Sequence, residues 1–268
     1  MSNKRTTLIM VAAGAIFMFM GGNNVLANDL YVDAACLAAP GTGAEGDPFC
    51  TIQEAVDDAD LLAPPGGTIH VAAGTYTENV TIDKNVMLLG AGPGEYGTIV
   101  DGNNVGTVFV VVPGVTVIIS DMTIRNGRAP TGGGILNTGT LTLNNSTVSG
   151  NTADNDGGGI CNEATLTLTN STVSGNTATV GGGIFNFLGM AEVINSTVSG
   201  NTATLGGGIT NTANAILRLS NATVSNNTAA NGPRPILLRH SHSKTSTPIA
   251  AAGKRYCHTA PESICQRG

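Results

Sequence analysis

Four Gly triplets begin at Gly132, Gly157, Gly181 and Gly206, and each is followed by Ile: Ile135, Ile160, Ile184 and Ile209. Between them the phrase S-T-V-S-G-N-T-A runs from Ser146, Ser171 and Ser196, and a variant, A-T-V-S-N-N-T-A, starts at Ala222. The period is roughly 25 residues, within the range that marks solenoids and arrays. Inside each unit apolar residues alternate with Thr, as in T-L-T-L at Thr140 to Leu143 and at Thr165 to Leu168. The later copies keep the alternation as Ala191 and Val193, then Leu217 and Leu219, and a further apolar position recurs at Val148, Val173, Val198 and Val224. A period of two is that of a strand, so each repeat reads as two or three short β-strands joined by turns. One such unit cannot bury its apolar row alone, but stacked on its neighbours at ~4.8 Å per layer it forms a continuous core. The expected fold class is all-β, a parallel β-helix.

Asn supports stacking over a loose array. Three columns recur: Asn137/Asn162/Asn186/Asn211, Asn145/Asn170/Asn195/Asn221 and Asn151/Asn176/Asn201/Asn227. Asn tolerates left-handed turns, and stacked Asn side chains hydrogen-bond along a column; the expectation places all three at corners. This role is preferred to glycosylation at N-x-S/T. Charged residues are 11% of the chain and 41% is hydrophobic, which excludes disorder driven by charge. The 37 glycines follow no three-residue period, which excludes collagen.

Upstream of the repeats, apolar β stretches appear at Thr68–Val71, Asn79–Ile82, Val86–Leu89, Thr98–Val100, Val108–Val112 and Val115–Ile119, followed by Asp121 to Arg125. They suggest two less regular coils over 68–130, before four regular repeats over 131–232. In segment 28–67, Thr51-Ile52-Gln53-Glu54 is a capping box that predicts a helix from about 51 to 62. Ile52, Ala55, Val56 and Ala59 share one face, and the helix is placed as the N-terminal cap of the solenoid. Cys36 and Cys50 flank a short loop and are the disulfide candidate, worth ~3 kcal/mol by chain entropy; Cys161, Cys257 and Cys265 show no metal-ligand spacing. Residues 1–27 read as a cleaved signal peptide, with Lys4 and Arg5 before an apolar run from Leu8 to Met20 and small residues to Ala27. Localisation is therefore expected to be secreted or cell-surface, with no transmembrane segment in the mature chain. The basic tail 233–268 lacks the repeat and is expected to be unstructured or aberrant.

The stretch D-L-Y-V-D-A-A-C…P-F-C-T-I-Q-E-A-V, then G-G-T-I-H-V-A-A-G-T-Y-T-E-N-V-T-I, then M-L-L-G-A-G, resembles the opening of right-handed parallel β-helix proteins of the pectate-lyase-like superfamily. The G-G-G-I-x-N and V-S-G-N-T-A repeats are similar to those of polymorphic outer membrane proteins, although Val stands where the F-x-x-N motif has Phe. The resemblance spans about Asp29 to Gly232 and implies a right-handed solenoid, the hand that parallel crossovers prefer. The superfamily includes lyases, hydrolases and non-enzymatic surface proteins, so function has to come from the site.

An enzyme on this scaffold needs clustered carboxylates, often with a basic partner. The charges of the regular repeats are Asp154, Asp156, Glu163, Glu192 and Arg218, and Glu192 and Arg218 are expected to form a cross-strand ion pair. Catalytic candidates lie earlier: Asp101, with Asp121 and Arg125, the last two expected beside Thr123 on one outer face. Thr147/Ser149, Thr172/Ser174, Thr197/Ser199 and Thr223/Ser225 form an outward hydroxyl row resembling ligand- or ice-binding faces. No cofactor and no metal site is expected. With so little charge in the repeats, the reading is a non-catalytic secreted or cell-surface solenoid with a structural, adhesive or display role. The alternative is a polysaccharide-active lyase or hydrolase of the parallel β-helix class. Expected partners are an extracellular polysaccharide or another surface protein, not nucleic acid, together with self-association through the C-terminal solenoid edge.

Overall fold

The computed structural model describes residues 29–36, 41–59 and 67–231; the expected signal peptide, 1–27, and the basic tail, 233–268, lie outside the described residues. Strand β1 (Leu30–Val32) and helix α1 (Ile52–Asp57) precede a first coil of β2 (Thr68–Val71), β3 (Gly74–Thr77) and β4 (Val80–Ile82). The second coil is β5 (Val86–Leu89), β6 (Thr98–Asp101) and β7 (Phe109–Val111). The third gains a strand: β8 (Thr116–Ser120), β9 (Met122–Arg125), β10 (Arg128–Thr131) and β11 (Ile135–Asn137). The next repeats this plan with β12 (Thr140–Asn144), β13 (Thr147–Ser149), β14 (Thr152–Asp156) and β15 (Ile160–Asn162). Then come β16 (Thr165–Thr169), β17 (Thr172–Ser174), β18 (Thr177–Val180) and β19 (Ile184–Asn186). They are followed by β20 (Met190–Ile194), β21 (Thr197–Ser199), β22 (Thr202–Leu205) and β23 (Ile209–Asn211). The last coil holds β24 (Ile216–Ser220), β25 (Thr223–Ser225) and β26 (Thr228–Ala229).

Strands at equivalent positions stack into four parallel sheets. The first sheet has eight strands, β1-β2-β5-β8-β12-β16-β20-β24, and the second has seven, β3-β6-β9-β13-β17-β21-β25. The third has five, β10-β14-β18-β22-β26, and the fourth has six, β4-β7-β11-β15-β19-β23. The protein is thus the parallel β-helix expected. The regular repeat, however, has four strands rather than two or three. The two overlooked strands are N-T-A and I-x-N, each with little apolar alternation to reveal it. In β14 Ala153 faces inward, and in β15 Ile160 does.

The core follows from the alternation. Leu141, Leu143, Leu166, Leu168, Val193 and Leu217 are fully buried in successive strands of the first sheet, each contributing about 1.5–3 kcal/mol by leaving water. Two of the three Asn columns belong to this interior rather than to exposed corners. Asn137 donates to Asn162 at 2.7 Å, Asn162 to Asn186 at 2.7 Å and Asn186 to Asn211 at 2.6 Å. Likewise Asn151, Asn176 and Asn201 each donate from Nδ2 to the next Oδ1, at 3.0, 3.0 and 2.9 Å. A buried amide is tolerated because every coil supplies the same partner to its neighbour. The third column does occupy a corner: Asn145, Asn170, Asn195 and Asn221 have φ between 44° and 51°, the left-handed region that Asn tolerates best after Gly. In S-G-N-T-A, Gly200 has φ 65°, and Asn226 takes that place in the last copy with φ 54°. In the triplets the constraint is also contact, since a Cβ on Gly133 would lie 2.4 Å from Thr152 O.

The helix forms where expected and stops sooner. Thr51 and Glu54 make the reciprocal capping box, and Asp58 caps the C-terminal end, so the helix is Ile52–Asp57 rather than about 51–62. Ile52, Ala55, Val56 and Ala59 are buried, and α1 packs on β1, β2 and β4. Glu78, at the end of β3, accepts the N–H groups of Ile52 at 2.9 Å and Gln53 at 3.0 Å, placing a carboxylate at the helix N-terminus. Cys36 and Cys50 form the expected disulfide, with Cα atoms 5.4 Å apart. The Tyr76 hydroxyl donates to Ala72 O at 3.0 Å and accepts from Ala34 N–H at 3.2 Å, tying this segment to the first coil. Burial pushes that phenol up to about 12.

Asn176 bonds Asn201 Oδ1 and Val148 O from its side-chain amide, and accepts from Asn151. Asn176→Ala leaves these buried groups unsatisfied and is expected to destabilise by about 2–4 kcal/mol, whereas Asn170→Ala, at the exposed corner, costs about 1 kcal/mol. Urea denaturation midpoints of the two variants measure the difference.

Candidate functional site

Ionisable side chains come together on the outer face of the second sheet, at its irregular end. Inward-facing Val100, Met122 and Ile124 are fully buried, so Asp101 and Arg125 project outward. The register of β6 against β9 sets Asp101 directly beside Arg125, one inter-strand spacing of ~4.8 Å apart. Arg125 Nε donates to Asp101 Oδ2 at 2.8 Å, and Asn126 Nδ2 donates to the same oxygen at 2.9 Å. Asp101 Oδ1 accepts the backbone N–H of Asn103 at 2.9 Å. The Asp101 side chain is 13% exposed and that of Arg125 39%, so the guanidinium still reaches solvent.

Burial alone raises the Asp101 carboxyl. The bonds from Asn103, Arg125 and Asn126, with the charge of Arg125, outweigh it and hold the group below the ordinary carboxylate range. A carboxylate so held stays ionised at neutral pH and suits a nucleophile rather than a proton donor. Two loops flank the pair: residues 90–97 before β6 and 102–107 after it. The first packs over the face, with Gly94 N–H donating to Thr123 Oγ1 at 3.0 Å, and carries Tyr96, 91% exposed. The second holds Asn103 and Asn104 with positive φ and donates from Asn104 N to Asn126 O at 2.6 Å.

Asp121 does not join Asp101 and Arg125. Instead of sharing the outer face of β9 with Thr123 and Arg125, it occupies the left-handed corner before that strand, with φ 60°, and bonds Asn145. It therefore begins the exposed Asn column, about 13 Å of extended backbone from Arg125. Glu192 and Arg218 are register partners, but Arg218 points its guanidinium at Met190 Sδ, 3.2 Å away, and no ion pair joins them among the described residues. Cys161 is a buried thiol, pushed up to about 12 by burial and by nearby Glu163 and Asp156. The described residues hold no cluster of metal-ligating side chains.

The hydroxyl row lies on the same sheet as the ion pair. Thr147, Thr172, Thr197 and Thr223 stack in one column, and Ser149, Ser174, Ser199 and Ser225 in the other. The Ser column continues directly into Arg125 and then Asp101, so the surface is not the uncharged face that an ice-binding reading needs. A separate cavity of about 300 Å³ lies near the N-terminal end, lined by Tyr31, Asp33, Glu45, His70 and Gly90 among others. In it His70 stacks on Tyr31 with centroids 4.9 Å apart and meets Asp29 at 3.2 Å. The cavity does not include Asp101 or Arg125.

No protein-family model matches the chain. Pectinesterase 2 of Citrus sinensis is 42% identical over 89 residues, 30% of this chain and 17% of that protein. The chain therefore spans well under two thirds of that relative. Among solved structures, rice weevil pectin methyl esterase is similar over 67% of this chain and 64% of its own, with 16% identity and a TM-score of 0.44. Pectin methylesterase PemA from Erwinia chrysanthemi is similar over 73% of this chain and 66% of its own, with 12% identity and a TM-score of 0.43. Pectate lyase Pel9A is similar over 84% of this chain and 81% of its own, with 13% identity and a TM-score of 0.40. The expectation of a non-catalytic structural, adhesive or display protein is corrected by the Citrus relative, a pectinesterase by name; the polysaccharide-active alternative is the better supported.

The Asp101 carboxyl titrates lower folded than unfolded, so its stabilisation is present above about pH 4 and is lost as pH falls through the folded-state value. Asp101→Asn is expected to lower stability by about 1–2 kcal/mol at pH 7. Thermal melts of the two proteins between pH 7 and 2 are expected to converge at the acid end.

Proposed function

We propose that the chain is an exported polysaccharide-active hydrolase, cleaving esters of a pectin-like acidic polysaccharide at the Asp101–Arg125 pair. The observation that carries this reading is an ionised carboxylate held by a guanidinium on an outer solenoid face, in a chain partly similar to a pectinesterase. Acid-base glycoside hydrolysis needs a second, protonated carboxyl opposite the first. The neighbours of Asp101 and Arg125 along the column are Thr77 and Ser149, neither of which is an acid. Base-catalysed elimination needs a stronger base than a carboxylate of lowered pKa. Ester hydrolysis makes the smaller demand. Asp101 attacks the ester carbonyl carbon, the alcohol leaves with a proton from water, and a second water cleaves the acyl-enzyme to restore the carboxylate.

Arg125 keeps Asp101 ionised and oriented, and its solvent-facing side offers a partner for a uronate carboxylate. Beyond it the columns of Thr and Ser supply hydroxyls at each coil, along which a polysaccharide would lie. Export agrees with the Cys36–Cys50 disulfide, which persists in an oxidising compartment, and cleavage after Ala27 belongs to the same proposal.

Methanol release from methyl-esterified pectin tests the reading. The wild type is expected to release methanol above the buffer blank. Asp101→Asn is expected to lose at least about a thousand-fold in rate and Arg125→Ala about a hundred-fold, with Asp121→Ala near wild type. A folded wild type without turnover, or an active Asp101→Asn, overturns the proposal.

A further inference from the structure

Loop 90–97 changes the width of the second sheet's outer face. One of the two outward columns runs from Thr75 through Ile99 and Thr123 to Thr147 and the later threonines. Thr75 is exposed and the threonines from Thr147 onward reach solvent, but Ile99 and Thr123 are only 5% and 8% exposed. The loop covers the column at these two layers, where Gly94 N–H bonds Thr123 Oγ1. The neighbouring column, with Thr77, Asp101, Arg125 and Ser149, stays open. An elongated ligand lying over both columns of the regular repeats is therefore confined to one column where it meets the ion pair.

Hydrogen bonds make the loop a fixed wall. Ala91 N–H donates to Thr98 Oγ1 at 2.8 Å, Gly92 N–H to Asp121 O at 2.8 Å and Thr98 N–H to Gly92 O at 2.9 Å. Its foot abuts the third coil so closely that a Cβ on Gly90 would lie 2.3 Å from Asp121 O. Glu95 and Tyr96 form the tip, a turn closed by Gly97 N–H on Gly94 O at 3.2 Å. Tyr96 is 91% exposed, although a phenol ring is an apolar body that ordinarily packs its faces. Thr123, beneath this wall, is two residues from Arg125 on β9, ~6.6 Å along the strand.

We propose that Tyr96 is a substrate-binding residue whose ring stacks on a pyranose ring of the polysaccharide, next to the unit whose ester meets Asp101. The inference rests on the ester-hydrolase reading of that pair and adds a demand for a polymer. A pyranose presents an apolar face of C–H groups, which an aromatic face covers. The contact uses the ring and not the hydroxyl. It is made equally in the ground state and the transition state, so it lowers KM and leaves kcat unchanged.

Rates on methyl-esterified pectin and retardation in a pectin-containing gel, both measured on the full chain, are the test. Tyr96→Ala is expected to raise KM and the gel dissociation constant about ten-fold, with kcat within about two-fold of wild type. Tyr96→Phe is expected to match wild type. So is Phe187→Ala, which removes an exposed ring from the turn between β19 and β20. KM and retardation indifferent to Tyr96→Ala, a Tyr96→Phe as weak as Tyr96→Ala, or a loss confined to kcat overturns the proposal. Retardation needs no turnover, which separates the two readings. An inactive wild type whose retardation Tyr96→Ala weakens removes the hydrolase reading and leaves the ring contact standing. An active wild type indifferent to Tyr96→Ala removes the ring contact alone, and a wild type neither active nor retarded removes both.

Discussion

Each coil stacks on the previous one without a change of register in the first, second and fourth sheets, and the rest of the structure depends on that constraint. In-register parallel stacking turns every position of the repeat into a column, so a residue type tolerated once must be tolerated in every layer. An isolated buried amide would cost more than it returns, but a column of them bonds Asn137 to Asn162, Asn162 to Asn186 and Asn186 to Asn211. The same rule confines Gly to places where the next coil's carbonyls come too close for a Cβ, as at Gly133.

Register also decides where chemistry can sit. In the regular repeats the outward columns of the second sheet are Thr and Ser, which neither ionise near neutrality nor repel their stacked copies. Placing a carboxylate in such a column requires a cation in the adjacent layer, and Asp101 beside Arg125 meets that requirement at 2.8 Å. The irregular coils differ in sequence from one to the next, so they can alternate charge along a column where identical repeats cannot. The lengthened loops 90–97 and 102–107 belong to the same coils. A site on this scaffold is therefore expected where the repeat is broken.

Much of this was legible in the sequence. The T-L-T-L alternation gives the first sheet, V-S-G-N gives the second with its left-handed corner, and Thr51-Ile52-Gln53-Glu54 gives the helix start. What escaped was whatever depends on a single inward side chain or on contacts distant in sequence. Strand β14 shows Ala153 between polar residues, and β3 is G-T-Y-T, so neither carries an apolar run. The helix ended early because Asp58 caps it, a choice that the apolar spacing Ile52, Ala55, Val56, Ala59 does not reveal. Glu78 passed unnoticed because its partners, the N–H groups of Ile52 and Gln53, lie more than twenty residues away. Asp101 and Arg125 are readable as candidates, but the alternation sets Asp121 beside Arg125 as well, because nothing in the sequence marks Met122 rather than Asp121 as the start of β9. A left-handed residue at 121 rotates that side chain off the strand face.

Glu78 shows how the cap and the first coil share one electrostatic arrangement. Its burial raises the carboxyl above the ordinary range, while the N–H groups of Ile52 and Gln53 oppose that shift without cancelling it. The folded state therefore holds the proton more tightly than the unfolded chain does, and this group's contribution to stability falls as pH rises through that window. Asp101 has the opposite sign, adding stability as pH rises past the unfolded value and losing it in acid. The two contributions thus run in opposite directions with pH, although Glu78 directly follows β3 and Asp101 ends β6, neighbouring strands of the second sheet. The difference lies in their surroundings: desolvation and nearby Glu54 raise a half-buried Glu78 against two backbone N–H groups, whereas Asp101 accepts from Asn103 N–H, Arg125 and Asn126 and faces the Arg125 charge. Three hydrogen bonds, from Asn103 N–H, Arg125 and Asn126, together with the Arg125 charge outweigh desolvation at Asp101, where two backbone N–H groups do not at Glu78, which is why the column position facing Arg125 suits a carboxylate that must stay ionised.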